Sequence, residues 1–303
     1  MKVWLLDNGS IVIEHTQLMW NVPGPQVGIP SYAVLIEHDD GLFLFDTGFD
    51  LEHTNAVLPF ELPEQTPEQT IPAQLELAGF SVSDVTTLVN SHLHFDHVGG
   101  NKHFSGIRNV LHEAELAQAR DHEPFEFFGY SDKTWDHKGA RFETVSGDVE
   151  LAKGLWLFET PGHTIGHYSL LVTGESGTKP MLFAFDVVYT QPAFDKGIQP
   201  GFHIDPRAGV RSIARLKEVA AEHGADIYFS HDAGAFQTYK HAPDFYETKE
   251  EPWASWTGEW RSSPERGKAS ARRSRTSWQT RARPSSSRTS KGPKRRRPPA
   301  AWA

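Results

Sequence analysis

Three histidines and one aspartate lie within six consecutive positions of this 303-residue chain. They are His92, His94, Asp96 and His97, within the run Ser-His-Leu-His-Phe-Asp-His-Val-Gly-Gly-Asn. Core packing does not favour such a cluster, because an imidazole is costly to bury without a partner. Imidazole and carboxylate groups are, by contrast, common ligands of zinc and similar transition metals. The cluster therefore predicts a metal site.

A short strand is predicted to position this cluster. Residues 85–90 form a largely apolar run that predicts a buried strand just before it. His92 and His94 are two positions apart, so they point to the same side where the backbone stays extended. They can then hold one ion, while Asp96 and His97 lie beyond the turn and face a second one.

Further ligand-type residues come later in the chain. His163, Asp186 and His231 each lie just beyond an apolar run that predicts a strand. Functional residues of mixed α/β layers collect at strand ends, because the loops there are held by a rigid sheet. We therefore expect these residues to join the first cluster.

In their order and spacing, these seven residues resemble the dinuclear metal site of the metallo-β-lactamase superfamily. The pattern is His92-x-His94-x-Asp96-His97, then His163, Asp186 and His231, and the resemblance covers residues 1–248. Tyr189, in Asp-Val-Val-Tyr-Thr, is similar to the tyrosine of the lactonase branch. Within that branch the chain resembles N-acyl homoserine lactonases and 4-pyridoxolactonase. The stretches at 129–132 and around His203 are more similar to the second.

The resemblance implies a role for each of these residues. The first ion would be held by His92, His94 and His163, the second by Asp96, His97 and His231, with Asp186 as the bridge. The resemblance implies two divalent ions, with zinc preferred and iron or manganese as alternatives. Asp96 would carry a proton to the leaving oxygen, and Tyr189 would donate a hydrogen bond to the substrate. The alternative for Tyr189 is a plain wall residue.

Several other polar residues lie outside this ligand set. Asp46 either orients a ligand histidine or occupies a turn at a strand end, and Asp232, next to His231, is predicted to support a ligand as well. The histidines outside the pattern that we expect to be structural or at the surface are His103, His112 and His167. His203 is predicted to lie in a loop over the site and to contact substrate.

Substrate selection is predicted to come from aromatic loops at 18–20, 125–130 and 194–202. Phe128, in the second of these, is a predicted substrate contact together with Tyr189 and His203. The alternative is that these aromatic residues fill the core. The loops do not decide between an acyl chain and a pyridine ring.

Composition and charge limit the function classes. The chain has no cysteine, which excludes disulfides, a cysteine nucleophile and thiolate ligands. Residues 261–303 carry 14 Lys and Arg and one acid, a charge of +13, which leaves −22 for residues 1–260. The acidic part argues against nucleic-acid binding. We predict that residues 251–303, rich in Ser, Pro and Arg, are a disordered tail without a catalytic role. The alternative is an electrostatic arm for nucleic acid.

No membrane partner is expected. The chain lacks an apolar stretch of the ~20 residues that span a bilayer, and its start lacks an apolar segment of signal-peptide length. We therefore expect a cytoplasmic protein. Its aromatic-rich surface allows a homodimer.

The periodicity of apolar residues predicts the architecture. Strands are predicted at Lys2–Leu6, Ile11–Glu14, Tyr32–Glu37, Leu42–Asp46, Val85–Asn90, Arg141–Val145, Leu155–Glu159, Tyr168–Val172, Met181–Phe185 and Ile227–Ser230. Helices are predicted at Pro72–Leu77, His112–His122 and Val210–His223. Hairpins come first and helices alternate with strands later, which predicts an α/β fold, a four-layer αββα sandwich, over a hydrolase domain at 1–250.

The predicted function is a dinuclear metal-dependent hydrolase that opens a small lactone such as an N-acyl homoserine lactone, a quorum signal. The alternative substrate is 4-pyridoxolactone, an intermediate of vitamin B6 degradation. More remote alternatives are hydrolysis of a thioester, a phosphodiester or a β-lactam, and nucleic-acid binding through the basic tail.

Overall fold

The structure is a computed structural model that describes residues 1–174 and 179–247. The tail predicted at 251–303 lies outside these residues. Within them, the helices are too short or too polar to cross a membrane.

The first sheet has seven strands within the described part of the chain. In chain order they are β1 (Lys2–Ile13), β2 (Val27–His38), β3 (Gly41–Phe45), β4 (Thr87–Val89), β5 (Arg108–His112), β6 (Arg141–Val145) and, after the second sheet, β12 (Tyr246–Glu247). Their spatial order is β12-β1-β2-β3-β4-β5-β6. The strands from β12 to β3 pair antiparallel and those from β3 to β6 pair parallel. Strands β2 and β3 form a hairpin with a tight turn at Asp39-Asp40, because they pair up to His38 and Gly41.

The second sheet has five strands within the same ranges. They are β7 (Val149–Ala152), β8 (Leu155–Glu159), β9 (Tyr168–Val172), β10 (Met181–Phe185) and β11 (Asp226–Phe229). Neighbours from β7 to β10 pair antiparallel, whereas β10 and β11 pair parallel. The connection between this parallel pair contains the longest described helix.

The helices pack outside the sheets. They are α1 (His15–Leu18), α2 (Leu51–Val57), α3 (Ile71–Leu77), α4 (Phe95–Val98), α5 (Glu113–Arg120), α6 (Asp132–Trp135), α7 (Gln191–Lys196), α8 (Pro206–His223) and α9 (Ala233–Phe236). Helix α8 begins where the Asp205 side chain accepts hydrogen bonds from the backbone N–H groups of Arg207 and Ala208. It ends at Gly224, whose φ of 61° is costly for other residues.

Strand alternation separates the apolar layers. On β9, Leu170 and Val172 belong to a buried cluster between the two sheets, whereas Leu171 belongs to a cluster with α8. On the far side, Leu44 of β3 packs with Leu75 of α3. Helices therefore cover both outer faces of two facing sheets, which confirms the predicted αββα sandwich.

Some predicted elements were wrong in extent. The strands predicted at Lys2–Leu6 and Ile11–Glu14 are one continuous strand, β1. The polar residues from Asp7 to Ser10 do not end it, because the pairing with β2 shifts register there and then continues. His112 belongs to β5 and caps α5, so the helix predicted from His112 starts one residue later. Helix α3 confirms the helix predicted at Pro72–Leu77 within one residue, whereas strands β5, β7 and β12 and helices α1, α2, α4, α6, α7 and α9 were not predicted.

Candidate metal centre

The predicted ligand residues come together at strand ends of both sheets. In the first sheet, β4 is followed by His92, His94, Asp96 and His97, and the last two lie on α4. In the second sheet, His163 lies between β8 and β9, Asp186 follows β10, and His231 lies two residues after β11. They form two groups, one of His92, His94 and His163 and one of Asp96, His97, Asp186 and His231. Within each group the potential ligand atoms all lie within 4.8 Å of one another.

Asp186 lies between the two groups. Its Oδ2 is 3.5 Å from His163 Nε2 and 3.9 Å from His92 Nε2. Its Oδ1 is 3.2 Å from both His97 Nε2 and His231 Nε2. Oδ2 also lies 3.3 Å from His231 Nε2, so the Asp186 carboxylate is within reach of both groups, as required of a bridging ligand.

Some atoms that point into this centre lack a hydrogen-bond partner among the described residues. They are His92 Nε2, His97 Nε2 and Asp186 Oδ1. Their side chains are almost fully buried, at 0–4% exposure. An unpaired buried polar atom costs about 1–3 kcal/mol. A cation shared by these lone pairs removes that cost, so the donor set fits divalent metal ions.

Burial keeps the histidines of the first group neutral. Burial, followed by the neighbouring imidazoles, lowers the pKa of His92 and of His94 well below the usual value of 6.5. Burial also lowers the pKa of His163. The neutral imidazole is the form that binds metal.

The second group is dominated by its carboxylates. For His97, burial opposes the charged ring, but Asp186, Asp96 and Asp46 raise its pKa well above the usual range. Burial likewise opposes the charged ring of His231, but Asp186 and Asp96 raise the pKa of this histidine above its usual value. For Asp186, burial is outweighed by both histidines, and its pKa falls well below 3.8. A concentrated negative field therefore attracts cations to this group.

Asp46 orients the metal loop. Its Oδ2 is 2.8 Å from His97 Nδ1, and its two oxygens accept hydrogen bonds from Ser91 N and Ser91 Oγ at 2.8 and 2.7 Å. Asp46 is fully buried, with a left-handed φ of 60° that non-glycine residues seldom adopt. These contacts favour the orienting interpretation of Asp46 over the turn interpretation.

Two backbone carbonyls fix the other histidines. His163 Nδ1 lies 2.7 Å from Phe202 O, and His231 Nδ1 lies 2.8 Å from Pro30 O. A carbonyl can only accept, so each Nδ1 carries the proton and each Nε2 is free to bind a cation.

Glu115 is a supporting residue that the sequence interpretation missed. Its Oε1 accepts hydrogen bonds from Leu93 N and Tyr130 OH, both at 2.9 Å, and its Oε2 accepts one from Gly166 N at 3.1 Å. It is fully buried, and burial raises its pKa although these donors oppose the shift. Glu115 therefore ties the His92–His94 loop to the loop that carries His163.

His167 is structural, as predicted, but it lies against the site. Its Nε2 accepts the backbone N–H of Asp186 at 3.0 Å, and its Nδ1 lies 2.8 Å from Thr160 Oγ1. Burial lowers its pKa to about 3, so the ring is neutral at ordinary pH. His112 caps α5, as expected of a structural residue.

Tyr189 and His203 lie beside the centre. The Tyr189 ring is edge-on to His231, with centroids 4.6 Å apart, and burial followed by Asp186 raises its pKa well above 10. His203 follows Phe202, whose carbonyl holds His163, and its ring is edge-on to Trp20 at 4.4 Å.

The predicted aromatic loops divide between core and surface. Met19 and Phe194 are buried in the core with α8. The exposed aromatic side chains of these three loops are Trp20, Phe125, Phe127, Phe128 and Phe202. Phe128 precedes Gly129, where an added Cβ would come within 2.7 Å of the His94 ring. The backbone that follows Phe128 therefore lies against His94 of the first group.

Asp232 does not orient His231. Its side chain accepts hydrogen bonds from the N–H groups of Gln191, Gly234 and Ala235 and so caps α9. The predicted supporting role for Asp232 is therefore wrong, because both of its carboxylate oxygens bind backbone N–H groups.

Comparison with known proteins adds independent information. The family model of the metallo-beta-lactamase superfamily matches residues 27–231. An N-acyl homoserine lactonase from Bacillus sp is 30% identical over 254 residues, which are 80% of this chain and 98% of that protein. N-acyl homoserine lactonase AttM from Rhizobium johnstonii is 29% identical over 260 residues, 81% of this chain and 98% of AttM. Among solved structures, an N-acyl homoserine lactone hydrolase with N-hexanoyl-L-homoserine bound at its catalytic metal center has a TM-score of 0.73 and 28% identity, covering 81% of this chain and 98% of that one.

Proposed function

This chain belongs to the metallo-beta-lactamase superfamily, and we propose that it is a dinuclear metal-dependent hydrolase that opens small lactone rings. The observation that carries the proposal is the position of Asp186, with one oxygen 3.5 Å from His163 Nε2 and the other 3.2 Å from His231 Nε2. The similarity to N-acyl homoserine lactonases over nearly their whole length supports it.

We propose one divalent ion in each group, with Asp186 shared between them. Zinc is the metal we favour, because imidazole and carboxylate ligands suit it and thiolates are absent from the chain. Ions at these positions would supply Lewis-acid activation of a water molecule and of the lactone carbonyl.

Asp96 is the proposed proton carrier. Its Oδ2 lies 3.6 Å from both His97 Nε2 and His231 Nε2, at the edge of the second group. A carboxylate there takes a proton from the attacking water and returns it to the ring oxygen that leaves. At 8% exposure, Asp96 is the least buried member of its group.

Tyr189 is the proposed hydrogen-bond donor to the lactone. Because burial and Asp186 raise the pKa of its hydroxyl well above 10, the group keeps its proton under all working conditions. The Tyr189 ring is edge-on to both His163 and His231, and a protonated hydroxyl on it would stabilise negative charge that develops on a lactone oxygen.

The first candidate substrates are N-acyl homoserine lactones, because the relatives from Bacillus and Rhizobium are N-acyl homoserine lactonases. The second is 4-pyridoxolactone. An exposed Phe60 ring meets Phe128 edge-on, with centroids 6.0 Å apart, and these faces suit a flat aromatic ring. His203 is the other proposed substrate contact.

The test is ring opening of a lactone panel by the purified full chain, before and after chelation. We expect activity that chelation abolishes and that added zinc restores. Asp186→Asn should lose both activity and bound metal, measured by elemental analysis. The matched control is Asp195→Asn, an exposed aspartate of α7, which should keep both. The proposal would be contradicted by activity that survives complete metal removal. It would also be contradicted if the enzyme opened none of the lactones tested.

We further propose that residues 1–250 are the complete hydrolase unit and that residues 251–303 are dispensable for catalysis. The family match ends at residue 231 and the last described strand ends at Glu247, which supports this boundary. A chain that stops at residue 250 should keep its kcat/KM. A folded truncation with a large loss of activity would refute this. The cytoplasmic location, the homodimer and the absence of a nucleic-acid partner stay predictions.

A further inference from the structure

Two buried side-chain amides close the base of the metal loop, residues 91–100, which carries four of the seven ligand-type residues. Asn90 comes directly after β4, and Asn101 begins a short 3-10 turn just beyond α4. Asn101 Nδ2 donates a hydrogen bond to Asn90 Oδ1 at 2.9 Å, and Asn90 Nδ2 lies 3.4 Å from Asn101 Oδ1. Both residues are fully buried. This pair, the amide clasp, therefore joins the two ends of the loop.

The Thr47 hydroxyl fixes the orientation of the clasp. It accepts a hydrogen bond from the backbone N–H of Gly100 at 3.1 Å, so its own proton is available to donate. The nearer acceptor for that proton is Asn101 Oδ1 at 2.8 Å, compared with His97 O at 3.3 Å. Because Asn101 Oδ1 faces Thr47, its NH2 group faces Asn90.

The clasp is anchored to three neighbouring strands of the first sheet. Thr47 lies two residues after β3, and Asn90 follows β4. From β5, Asn109 Nδ2 donates to Asn90 Oδ1 at 2.9 Å, and the backbone N–H of Asn90 donates to Val110 O at 2.9 Å. Strands β3, β4 and β5 pair parallel, so the clasp lies where a rigid part of the sheet ends.

The backbone at the end of the metal loop lies directly on the segment that carries Thr47. Thr47 N donates to His97 O, and Gly99 N donates to Gly48 O, both at 2.7 Å. A Cβ added at Gly99 would come within 2.2 Å of Asp50 N, so only glycine allows this approach. The clasp and these backbone contacts therefore hold the same end of the loop.

These contacts do not use the ligand atoms of the centre. They are made by side-chain amides, one hydroxyl and backbone groups, so they are available whether or not an ion is bound. A loop that becomes ordered only on binding loses conformational entropy at that moment. A loop that is already held in its bound shape avoids this cost and binds more tightly.

We propose that the amide clasp, oriented by Thr47, holds the metal loop in its metal-binding shape independently of the ions, so that both ions enter a preformed site. This rests on the proposed dinuclear function and adds positioning residues to it. Thr47, Asn90 and Asn101 act through the loop, whereas Asp46 acts on one ring, that of His97. Loss of the clasp should therefore weaken both ions, and not the second group alone.

The experiment measures zinc binding by the purified full chain in competition with a chelator, which gives a dissociation constant for each ion. Thr47→Val keeps the shape of the side chain and removes its hydroxyl. We expect both zinc affinities to fall ~10–100-fold, the range typical of residues that orient metal ligands. In the metal-free protein, amide hydrogen exchange of residues 91–100 should be ~10-fold faster, as for one lost buried hydrogen bond.

Three further variants complete the test. Thr47→Ser keeps the hydroxyl and should bind both ions as the wild type does. Thr86→Val is the matched control, because it removes a hydroxyl that donates to Leu42 O at the opposite end of β4 and should leave zinc affinity and loop exchange unchanged. Asn101→Ala removes the clasp itself and should change both readouts in the same direction as Thr47→Val. If Asn101→Ala does not fold, Thr47→Val alone decides.

Unchanged zinc affinities in Thr47→Val would overturn the inference, and so would a fall for one ion only. Equal losses of unfolding stability with and without zinc would assign the network a purely structural role, because a weakened metal site must lower the stability of the zinc-loaded protein more. In these cases the proposed lactonase function stands. A wild type that binds no zinc and opens no lactone would overturn the proposed function and this inference together.

Discussion

Replacing Asp46 by Asn changes the proton position on a ligand histidine without changing the shape of the site. In the wild type, Asp46 Oδ2 accepts a hydrogen bond from His97 Nδ1 at 2.8 Å, which leaves His97 Nε2 free for a cation. Asparagine has one acceptor oxygen and one NH2 group. Ser91 N needs that oxygen, because a backbone N–H can only donate. The NH2 group then faces His97 Nδ1 and favours the tautomer protonated at Nε2, which cannot bind metal.

The magnitude follows from the hydrogen bond that is lost. A buried hydrogen bond to a charged group contributes about 1.5–3 kcal/mol. At about 1.4 kcal/mol per tenfold change, metal affinity at the second group should fall ~10–100-fold, in line with typical losses for residues that orient metal ligands. Asp46 is fully buried, so solvent does not replace the lost partner.

The assay is a chelator titration followed by elemental analysis of the retained metal. We expect Asp46→Asn to lose about one of its two ions at a chelator concentration that the wild type tolerates. The control is Asp232→Asn, since Asp232 is next to His231 in the chain but caps α9 and contacts no ligand histidine. Equal metal retention by Asp46→Asn and the wild type would refute the tautomer argument, as would an equal loss in Asp232→Asn.

Three other perturbations test separate parts of the site. Glu115→Gln leaves one of three donors unpaired and should lower the stability by about 1–3 kcal/mol, measured by thermal unfolding; an unchanged melting temperature would contradict the role of Glu115. Tyr189→Phe should lower kcat several-fold with metal content unchanged, and an equal kcat would reject the donor role. His167 has a pKa of about 3 when folded, against ~6.5 when unfolded. Only the unfolded state binds its proton between these values, so its contribution to stability is full above pH ~6.5 and falls by about 1.4 kcal/mol per pH unit below it. Chelator-treated His167→Asn should lack this slope in denaturant titrations from pH 5 to 7, and equal slopes would exclude the assignment.

Residues that lie at predicted strand ends were found from the sequence. Spacing predicted that His92 and His94 share one side of the chain, and the ends of apolar runs predicted that His163, Asp186 and His231 join the cluster; the structure brings these side chains together in two neighbouring groups. Strands β6, β8, β9 and β10 have the predicted bounds, because their apolar runs are bordered by turn residues. These features depend on local pattern.

Residues that depend on contacts distant in the chain were not found. Glu115 bonds to Leu93 and Gly166, which are 22 and 51 residues away, and nothing near Glu115 in the sequence distinguishes it from a surface acid of a helix. The sequence left two roles for Asp46, a group that orients a ligand histidine or a turn residue. Only its contact with His97, 51 residues away, distinguishes them.

The ligand-type residues belong to both sheets: His92 to His97 extend from the first, and His163, Asp186 and His231 from the second. A cation shared by these side chains would therefore be a cross-link between the two layers, in addition to the apolar packing and hydrogen bonds that join them. Its binding energy is added to the docking of one sheet on the other. Separate halves of the chain would each carry an incomplete coordination sphere, so tight metal uptake reports that the whole sandwich has assembled.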